Sequence, residues 1–243
     1  MGGGCVCSVC TALTRAGRTY KDRHYFGEEA PELLGACARA FARGEAVEPR
    51  LLECGCGAGN TVYPLLELAA ELHPGLPLRV SAFDFAPRAV ALVRAKAAAH
   101  ADGAVDAFVC DLAAGDVGDA LPRRVGMGAC HAATLIFVLS ALAPESMPRA
   151  VRAVGACLAP GACVLVRDYA AGDLAEVRHM PARAHAHACT QASTQAWAYA
   201  SASDPRVRTL RMSSHARPRI RPHARAPSRA CTRTGTPRRQ RRR

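Results

Sequence analysis

The stretch Leu51–Asn60, LLECGCGAGN, decides the fold. Two leucines run into Glu53, and glycines follow at positions 55, 57 and 59. The pattern predicts a buried strand that ends in a tight loop, with a helix over Thr61–Leu72 after it. Glycine is needed where the backbone takes unusual dihedral angles or lies directly against a ligand. Because the N–H groups that open a helix favour a polar ligand, this loop is a candidate ligand site.

Strands and helices alternate along the chain that follows this loop. Further strands are predicted at Leu78–Phe83, Ala107–Cys110, Ala133–Leu139 and Cys163–Arg167. Helices are predicted at Pro31–Arg43, Pro87–His100 and Pro144–Leu158. The alternation predicts an α/β fold with a doubly wound, mostly parallel, Rossmann-like sheet. Such sheets bind ligands at the carboxyl ends of their strands.

Acidic residues coincide with those carboxyl ends. Glu53, Asp84 and Asp111 each fall at or next to the end of a predicted strand. The ends of parallel strands meet at one edge of a sheet, so we expect the three carboxylates to lie on the ligand side. Their recurrence in successive strands after a glycine loop indicates a site rather than a coincidence.

The spacing of the glycines separates three kinds of nucleotide site. A P-loop needs Gly-Lys-Ser/Thr, which is absent, and a dinucleotide fingerprint needs glycine where Asn60 stands. The G-x-G-x-G pattern, with one acid before it and one after the next strand, is typical of class I S-adenosylmethionine-dependent methyltransferases. In this interpretation Asp84 accepts hydrogen bonds from both ribose hydroxyls, and Asp111 with Leu112 borders the adenine. A nucleotide-binding protein of another kind is the alternative.

The sequence also resembles one family in particular, the methyltransferase-like enzymes that form 3-methylcytidine in tRNA. The matching runs are YKDRHY (20–25), LLECGCGAGNTVYPLL (51–66), FDFAPRAVALV (83–93), FVCDL (108–112), LIFVLSALAP (135–144) and LAPGACVLVRDY (158–169). The resemblance covers residues 20–178 and implies S-adenosylmethionine as cofactor, with cytidine in the anticodon loop of tRNA as substrate. It also implies that a protein partner sometimes presents the tRNA.

These arguments give three groups of candidate site residues. The candidates for cofactor binding are Glu53, Gly55, Gly57, Gly59, Asn60, Asp84, Phe85, Asp111, Leu112 and Ile136. The candidates for catalysis are Asp168 and Arg167, and those for substrate contact are Lys21, Arg23, His24 and Tyr169. We hypothesise that Asp168 accepts a hydrogen bond from the cytosine amino group and offsets the charge that develops on the base. An ion pair of Arg167 with Asp168 that closes the strand end is the alternative. No metal site is predicted, although Cys5, Cys7 and Cys10 have a metal-like spacing.

Charge divides the chain near residue 178. Residues 1–178 carry 17 Lys and Arg against 19 Asp and Glu, whereas residues 179–243 carry 15 Arg and a single acid, Asp204. The second part has no sustained apolar period, so its composition predicts disorder. It is either an arginine-rich arm that binds tRNA phosphates, a nuclear address, or a segment foreign to the family that a retained intron or frame shift introduced. We favour the last, because the resemblance stops abruptly.

We therefore divide the chain into four parts. Residues 1–19 are a disordered leader, 20–50 an N-terminal substrate or lid segment, 51–178 the cofactor-binding domain, and 179–243 the basic tail. The domain is expected to lack its last strands, which leaves a hydrophobic sheet edge exposed. The scattered cysteines predict buried, reduced thiols in a cytoplasmic protein, with the nucleus as alternative. No apolar run has the length of a membrane span.

Three functions remain open from the sequence. The first is transfer of a methyl group to tRNA cytidine. The second is methylation of another RNA base or of a small molecule, because the glycine loop and the acids do not distinguish between these acceptors. The third is binding of RNA by a catalytically inactive protein that keeps a partial cofactor fold.

Overall fold

The computed structural model describes residue 26, residues 31–98 and 103–168, and the backbone of residues 208–213. The helices are α1 Pro31–Ala42, α2 Val62–Leu72, α3 Pro87–Ala98, α4 Val117–Val125 and α5 Met147–Ala156, with a short 3-10 helix at Leu139–Ala141. The strands are β1 Arg50–Cys54, β2 Arg79–Asp84, β3 Val105–Val109, β4 Cys130–Ile136, β5 Leu158–Asp168 and β6 Arg208–Ser213.

All six strands form one parallel sheet in the order β3-β2-β1-β4-β5-β6. Helices pack on the sheet, and strands β1 and β4 are buried along nearly their whole length, as expected for strands covered on both faces. The predicted doubly wound α/β fold is confirmed. The direction of winding reverses between β1 and β4, and the crevice at such a reversal is where sheets of this kind bind ligands.

One face of the sheet packs against α1 and against Phe26. The buried residues of α1, among them Leu33, Leu34 and Cys37, share a core cluster with Phe26 and Leu165. Phe26 is 1% exposed, although it directly follows the YKDRHY run. Phe26 and α1 therefore pack in the same core cluster as strands β1 and β5.

Several element bounds differ from the sequence predictions; β5, for example, runs from Leu158 to Asp168 rather than from Cys163 to Arg167. Helix α4 was not predicted, because Gly118 and Pro122 weaken the helical signal of a nine-residue segment. Its buried residues Val117, Leu121 and Val125 nevertheless recur every fourth position and face the core. The predicted strand Ala133–Leu139 instead begins at Cys130 and ends at Ile136, because the backbone turns at the next residue.

Strand β6 changes the expectation of an uncovered sheet edge. It lies within the tail that composition predicted to be disordered, yet it pairs in parallel with β5 from Cys163 to Asp168. An edge strand needs only backbone hydrogen bonds along one side and a short segment. The prediction of disorder used the average composition of residues 179–243, and that average does not reveal a single short strand. The edge of β5 is therefore covered.

Seven cysteines lie within residues 31–98 and 103–168, and all are free thiols. Burial raises the pKa of Cys37, Cys130 and Cys157 to about 12. Thiols with such pKa values stay protonated at neutral pH and are poor nucleophiles. They act as small apolar side chains in the core. No helix within the described residues is long and apolar enough to cross a membrane.

Candidate functional site

The three glycines of the loop after β1 have positive φ angles, and they serve two different purposes. A Cβ atom at Gly55 would lie 2.8 Å from a methyl carbon of Val138, and one at Gly59 would lie 2.6 Å from the ring of Tyr63. A Cβ atom at Gly57 would meet no atom within 4 Å. Two glycines therefore allow close packing. The third, Gly57, leaves its outer face open, as a surface that receives a ligand requires.

Asp84 at the end of β2 fixes the open part of the loop. Its Oδ2 accepts a hydrogen bond from the N–H of Gly57 at 2.9 Å, and its Oδ1 accepts one from the N–H of Ala86 at 2.9 Å. A carboxylate has about four acceptor positions, so both oxygens retain capacity for hydroxyl groups of a ligand. The N–H of Cys56 also donates to the carbonyl of Phe83 at 2.9 Å, which ties the loop to β2.

The Asp84 carboxylate is held in a largely dry environment, because its residue is 8% exposed. Burial raises the pKa of this carboxyl above its ordinary value of 3.8, and the N–H groups of Ala86, Gly57 and Phe85 oppose the rise. A buried carboxylate with few competing waters binds hydroxyl donors more strongly than an exposed one. Neighbouring Phe85 is 45% exposed and adds an aromatic surface beside it.

The loop after β3 forms the next side of the site. Asp111 is exposed, and its Oδ1 accepts the N–H of Ala113 at 2.8 Å, while Leu112 beside it is buried. The guanidinium group of Arg149 on α5 donates to the carbonyls of Ala113 and Ala114 at 2.9 and 3.0 Å. Sequence reasoning missed Arg149, because nothing in the sequence connects α5 with this loop. The guanidinium group fixes the backbone that carries Asp111.

Glu53 lies in β1, just before the glycine loop. It is fully buried, and its Oε2 accepts a hydrogen bond from the hydroxyl of Thr134 on the neighbouring strand β4. The pair joins β1 and β4 where the winding reverses. Thr134 was not among the predicted residues, because the strand register that brings it beside Glu53 is a tertiary feature.

The chain after β4 lines the opposite side of the crevice. Ile136 is buried at the strand end, and the following Phe137 has a φ angle of +57°. A left-handed conformation is unusual for a bulky residue and costs roughly 1–3 kcal/mol. Its N–H donates to the carbonyl of Arg167 at 2.7 Å. This turn directs Val138 onto Gly55.

The two candidate catalytic residues end β5 at the same edge of the sheet. Both Arg167 and Asp168 are half-buried. Oδ2 of Asp168 accepts the N–H of Ser140 at 3.0 Å, which links β5 to the 3-10 helix after β4. Asn60 is half-buried at the end of the glycine loop. The candidates Lys21, Arg23, His24 and Tyr169, and the cysteines at positions 5, 7 and 10, lie outside the described residues.

Comparison with known proteins agrees with this geometry. Residues 52–164 match the family model described as a methyltransferase domain. The chain is 40% identical over 159 residues to tRNA N(3)-cytidine methyltransferase METTL6 of Mus musculus, which covers 65% of this chain and 51% of that protein. It is 33% identical over 163 residues to tRNA N(3)-methylcytidine methyltransferase trm140 of Schizosaccharomyces pombe, which covers 67% of this chain and 48% of that protein. The chain thus spans about half the length of these curated relatives.

Solved structures give weaker matches. A SAM dependent methyltransferase from Aquifex aeolicus has a TM-score of 0.39 and 14% sequence identity, over 63% of this chain and 68% of that chain. The strand order by itself defines the doubly wound α/β fold. Residues 52–164 are thus similar to a methyltransferase domain, and about two thirds of the chain is similar in sequence to the tRNA N(3)-cytidine methyltransferases.

Proposed function

We propose that the chain transfers a methyl group from S-adenosylmethionine to N3 of cytidine in the anticodon loop of tRNA. The observation that carries the proposal is the similarity to tRNA N(3)-cytidine methyltransferases across about two thirds of this chain. The described site adds physical support, because an open glycine loop and a buried carboxylate meet where the sheet reverses its winding.

The residues at the carboxyl edge fit S-adenosylmethionine. The open face of Gly57 leaves room for the ligand, and Asp84 retains acceptor positions for the two ribose hydroxyls. Exposed Asp111 would accept from the adenine amino group, with Phe85 as an apolar neighbour. When bound, the cofactor supplies a methyl group on a sulfonium ion.

The reaction asks little acid–base chemistry of the protein. N3 of neutral cytosine carries a lone pair and needs no prior deprotonation to attack a methyl group. The protein's contribution is then to orient the base and to exclude water. In our proposal Asp168 accepts a hydrogen bond from the cytosine amino group and so offsets the positive charge that develops on the base.

Exchange of Asp168 for asparagine is expected to lower kcat by about ten- to a hundredfold, because a hydrogen bond to a charged group contributes roughly 1.5–3 kcal/mol. The affinity for S-adenosylhomocysteine should change less than threefold. Single-turnover methyl transfer and calorimetric titration measure the two effects separately. An equal loss in turnover and affinity would contradict a role of the charge in the reaction.

The affinity for the cofactor should begin to fall at a higher pH than it would if Asp84 had the pKa of an ordinary aspartate. The raised pKa of Asp84 means that its carboxylate is protonated, and loses acceptor positions, above the usual 3.8. The same protonation stabilises the fold, because the native state then binds a proton that the unfolded state does not yet bind. As the pH is lowered from 7.5 to 4, calorimetry should therefore show a falling affinity for the cofactor. Thermal unfolding over the same range should show that protonation of Asp84 contributes increasingly to the stability of the fold. Affinity that stays constant down to the ordinary aspartate range would contradict the assignment.

The decisive experiment is transfer of a labelled methyl group to total tRNA, followed by nucleoside analysis. We expect label in 3-methylcytidine, and none with the Asp84→Ala variant. Label in another nucleoside, or only in small molecules, would favour a methyltransferase with a different acceptor. A folded protein that binds the cofactor and tRNA without transfer would be an inactive RNA-binding protein.

The basic tail is tested by deletion of residues 214–243, which leaves β6 in place. An arginine-rich arm predicts weaker tRNA binding and a smaller dependence of affinity on salt after the deletion. A segment foreign to the domain predicts no change in either. Filter binding of tRNA between 50 and 300 mM salt distinguishes the two interpretations.

We further propose tRNA as the main partner, together with an accessory protein that presents it, and a location in the cytoplasm with the nucleus as alternative. The resemblance in sequence supports the partners. Transfer to purified tRNA with and without a cell extract tests the need for an accessory protein. A fluorescent fusion at the N-terminus tests the location.

A further inference from the structure

The segment at residues 137–141, here named the crest segment, lies between the end of β4 and α5. It begins with the left-handed Phe137 and continues into the 3-10 helix Leu139–Ala141. Its internal hydrogen bonds are short-range ones, such as that from the N–H of Ala141 to the carbonyl of Val138 at 3.1 Å. A short turn of this kind with a strained first residue depends on contacts with neighbouring elements to keep its shape.

Two hydrogen bonds from the end of β5 supply such contacts. The carbonyl of Arg167 accepts the N–H of Phe137 at 2.7 Å, and the side chain of Asp168 accepts the N–H of Ser140 at 3.0 Å. The first is a backbone bond that any residue at position 167 would make. The second depends on the side chain of Asp168. This side chain therefore holds the crest segment against the end of β5.

The crest segment in turn sets the position of the glycine loop. Between its two hydrogen-bonded residues stands Val138, which is buried, and its methyl carbon occupies the space where a side chain at Gly55 would be. Val138 therefore connects the crest segment after β4 with the glycine loop after β1. A shift of the crest segment would change the packing on the loop that Asp84 holds from the other side.

We propose that Asp168 is a positioning residue for the cofactor loop. Through Ser140 it fixes the crest segment, and through Val138 the crest segment fixes Gly55. This inference rests on the proposed function only in that cofactor affinity is its readout. It goes beyond the proposed contact with cytosine. Asp168, which is proposed to contact the base that receives the methyl group, would also affect binding of the cofactor that donates it.

Two substitutions separate the roles of the carboxylate. In Asp168→Asn the amide oxygen still accepts the N–H of Ser140, so the affinity for S-adenosylhomocysteine should stay within about threefold. In Asp168→Ala the acceptor is lost, and we expect a dissociation constant about tenfold higher, which corresponds to roughly 1.4 kcal/mol. Glu71→Ala, an exposed acid on α2, serves as the matched control and should change nothing. Equal affinities of the alanine and asparagine variants would overturn the proposal.

A measurement without any ligand tests the same link. Hydrogen exchange in the crest segment should be faster in Asp168→Ala than in Asp168→Asn, while exchange in β1 and β2 stays slow. A uniform acceleration over the whole domain would mean that the substitution only destabilises the fold. That result would also overturn the proposal.

A double-mutant cycle identifies the route of the coupling. Val138→Ala removes the contact with Gly55 but leaves the hydrogen bond of Asp168. If the effect passes through Val138, Asp168→Ala should raise the dissociation constant by less than about threefold in the Val138→Ala background. If the effects of the two substitutions on the binding free energy are fully additive, the coupling does not pass through Val138.

These affinity measurements do not depend on which molecule receives the methyl group. Failure of the natural protein to bind S-adenosylhomocysteine would reject the proposed function, whereas binding that Asp168→Ala leaves unchanged would reject only this inference.

Discussion

Replacement of Asp84 by alanine is expected to weaken the binding of S-adenosylmethionine by at least about a hundredfold. In our proposal the substitution removes the acceptor of two ribose hydroxyls, and each hydrogen bond to a charged group contributes roughly 1.5–3 kcal/mol. It also leaves the N–H groups of Gly57 and Ala86 without their carboxylate partner, so the loop loses its shape. Both effects act in the same direction. Titration calorimetry with S-adenosylhomocysteine measures the loss.

The control for this experiment is Asp119→Ala on α4, where the aspartate is exposed. It removes the same charge from the same type of residue at a site far along the chain from the glycine loop. Its affinity should equal that of the natural protein. An Asp84→Ala variant that is folded by circular dichroism and binds the cofactor normally would show that the site lies elsewhere.

The second large effect is expected for Gly59→Ala, which should lower the free energy of unfolding by about 2–4 kcal/mol. Its φ angle of +89° is unfavourable for a residue with a Cβ atom, and that atom would lie 2.6 Å from the ring of Tyr63. The ring cannot easily move away, because the Tyr63 hydroxyl donates to the carbonyl of Val93 at 2.7 Å and the ammonium group of Lys96 lies over the ring. Denaturant unfolding without ligand measures the change.

Gly118→Ala provides the comparison. This glycine lies in α4, and a Cβ atom there would meet no atom within 4 Å. The substitution should leave the stability unchanged or raise it by up to about 1 kcal/mol. Similar losses for both substitutions would mean that the crowding at Gly59 does not determine the role of that glycine.

The fold could be predicted because its signals are local. The apolar run into Glu53 and the alternate glycines lie within a few residues of one another, and Asp84 and Asp111 each lie at or next to the end of their own strand. Helix α4 was missed for the same reason, since Pro122 and Gly118 weaken the local signal while burial of Leu121 stabilises the helix in its tertiary context. Strand β6 was missed because the arginine-rich composition of residues 179–243 conceals a strand of only six residues.

The contacts within the site were less accessible. The sequence places Asp84 at a strand end, but it does not reveal that both its oxygens bind backbone N–H groups. Nor does it reveal that Val138 covers Gly55 or that Thr134 binds Glu53. Those contacts depend on the register of β1 against β4, which no local pattern specifies. The assignment of individual residues to cofactor and substrate stays a prediction.

The direction of β6 determines where the remainder of the chain leaves the domain. Ser213 pairs with Asp168, so residue 214 starts at the edge of the sheet that carries the glycine loop. Residues 214–243 are rich in arginine, and a chain of that length extends at most about 100 Å. A polyanion held by this tether would be confined within that radius of Asp168, at a raised effective concentration. An affinity tag at the C-terminus would enter the same volume, so an N-terminal tag is the better choice for assays with tRNA.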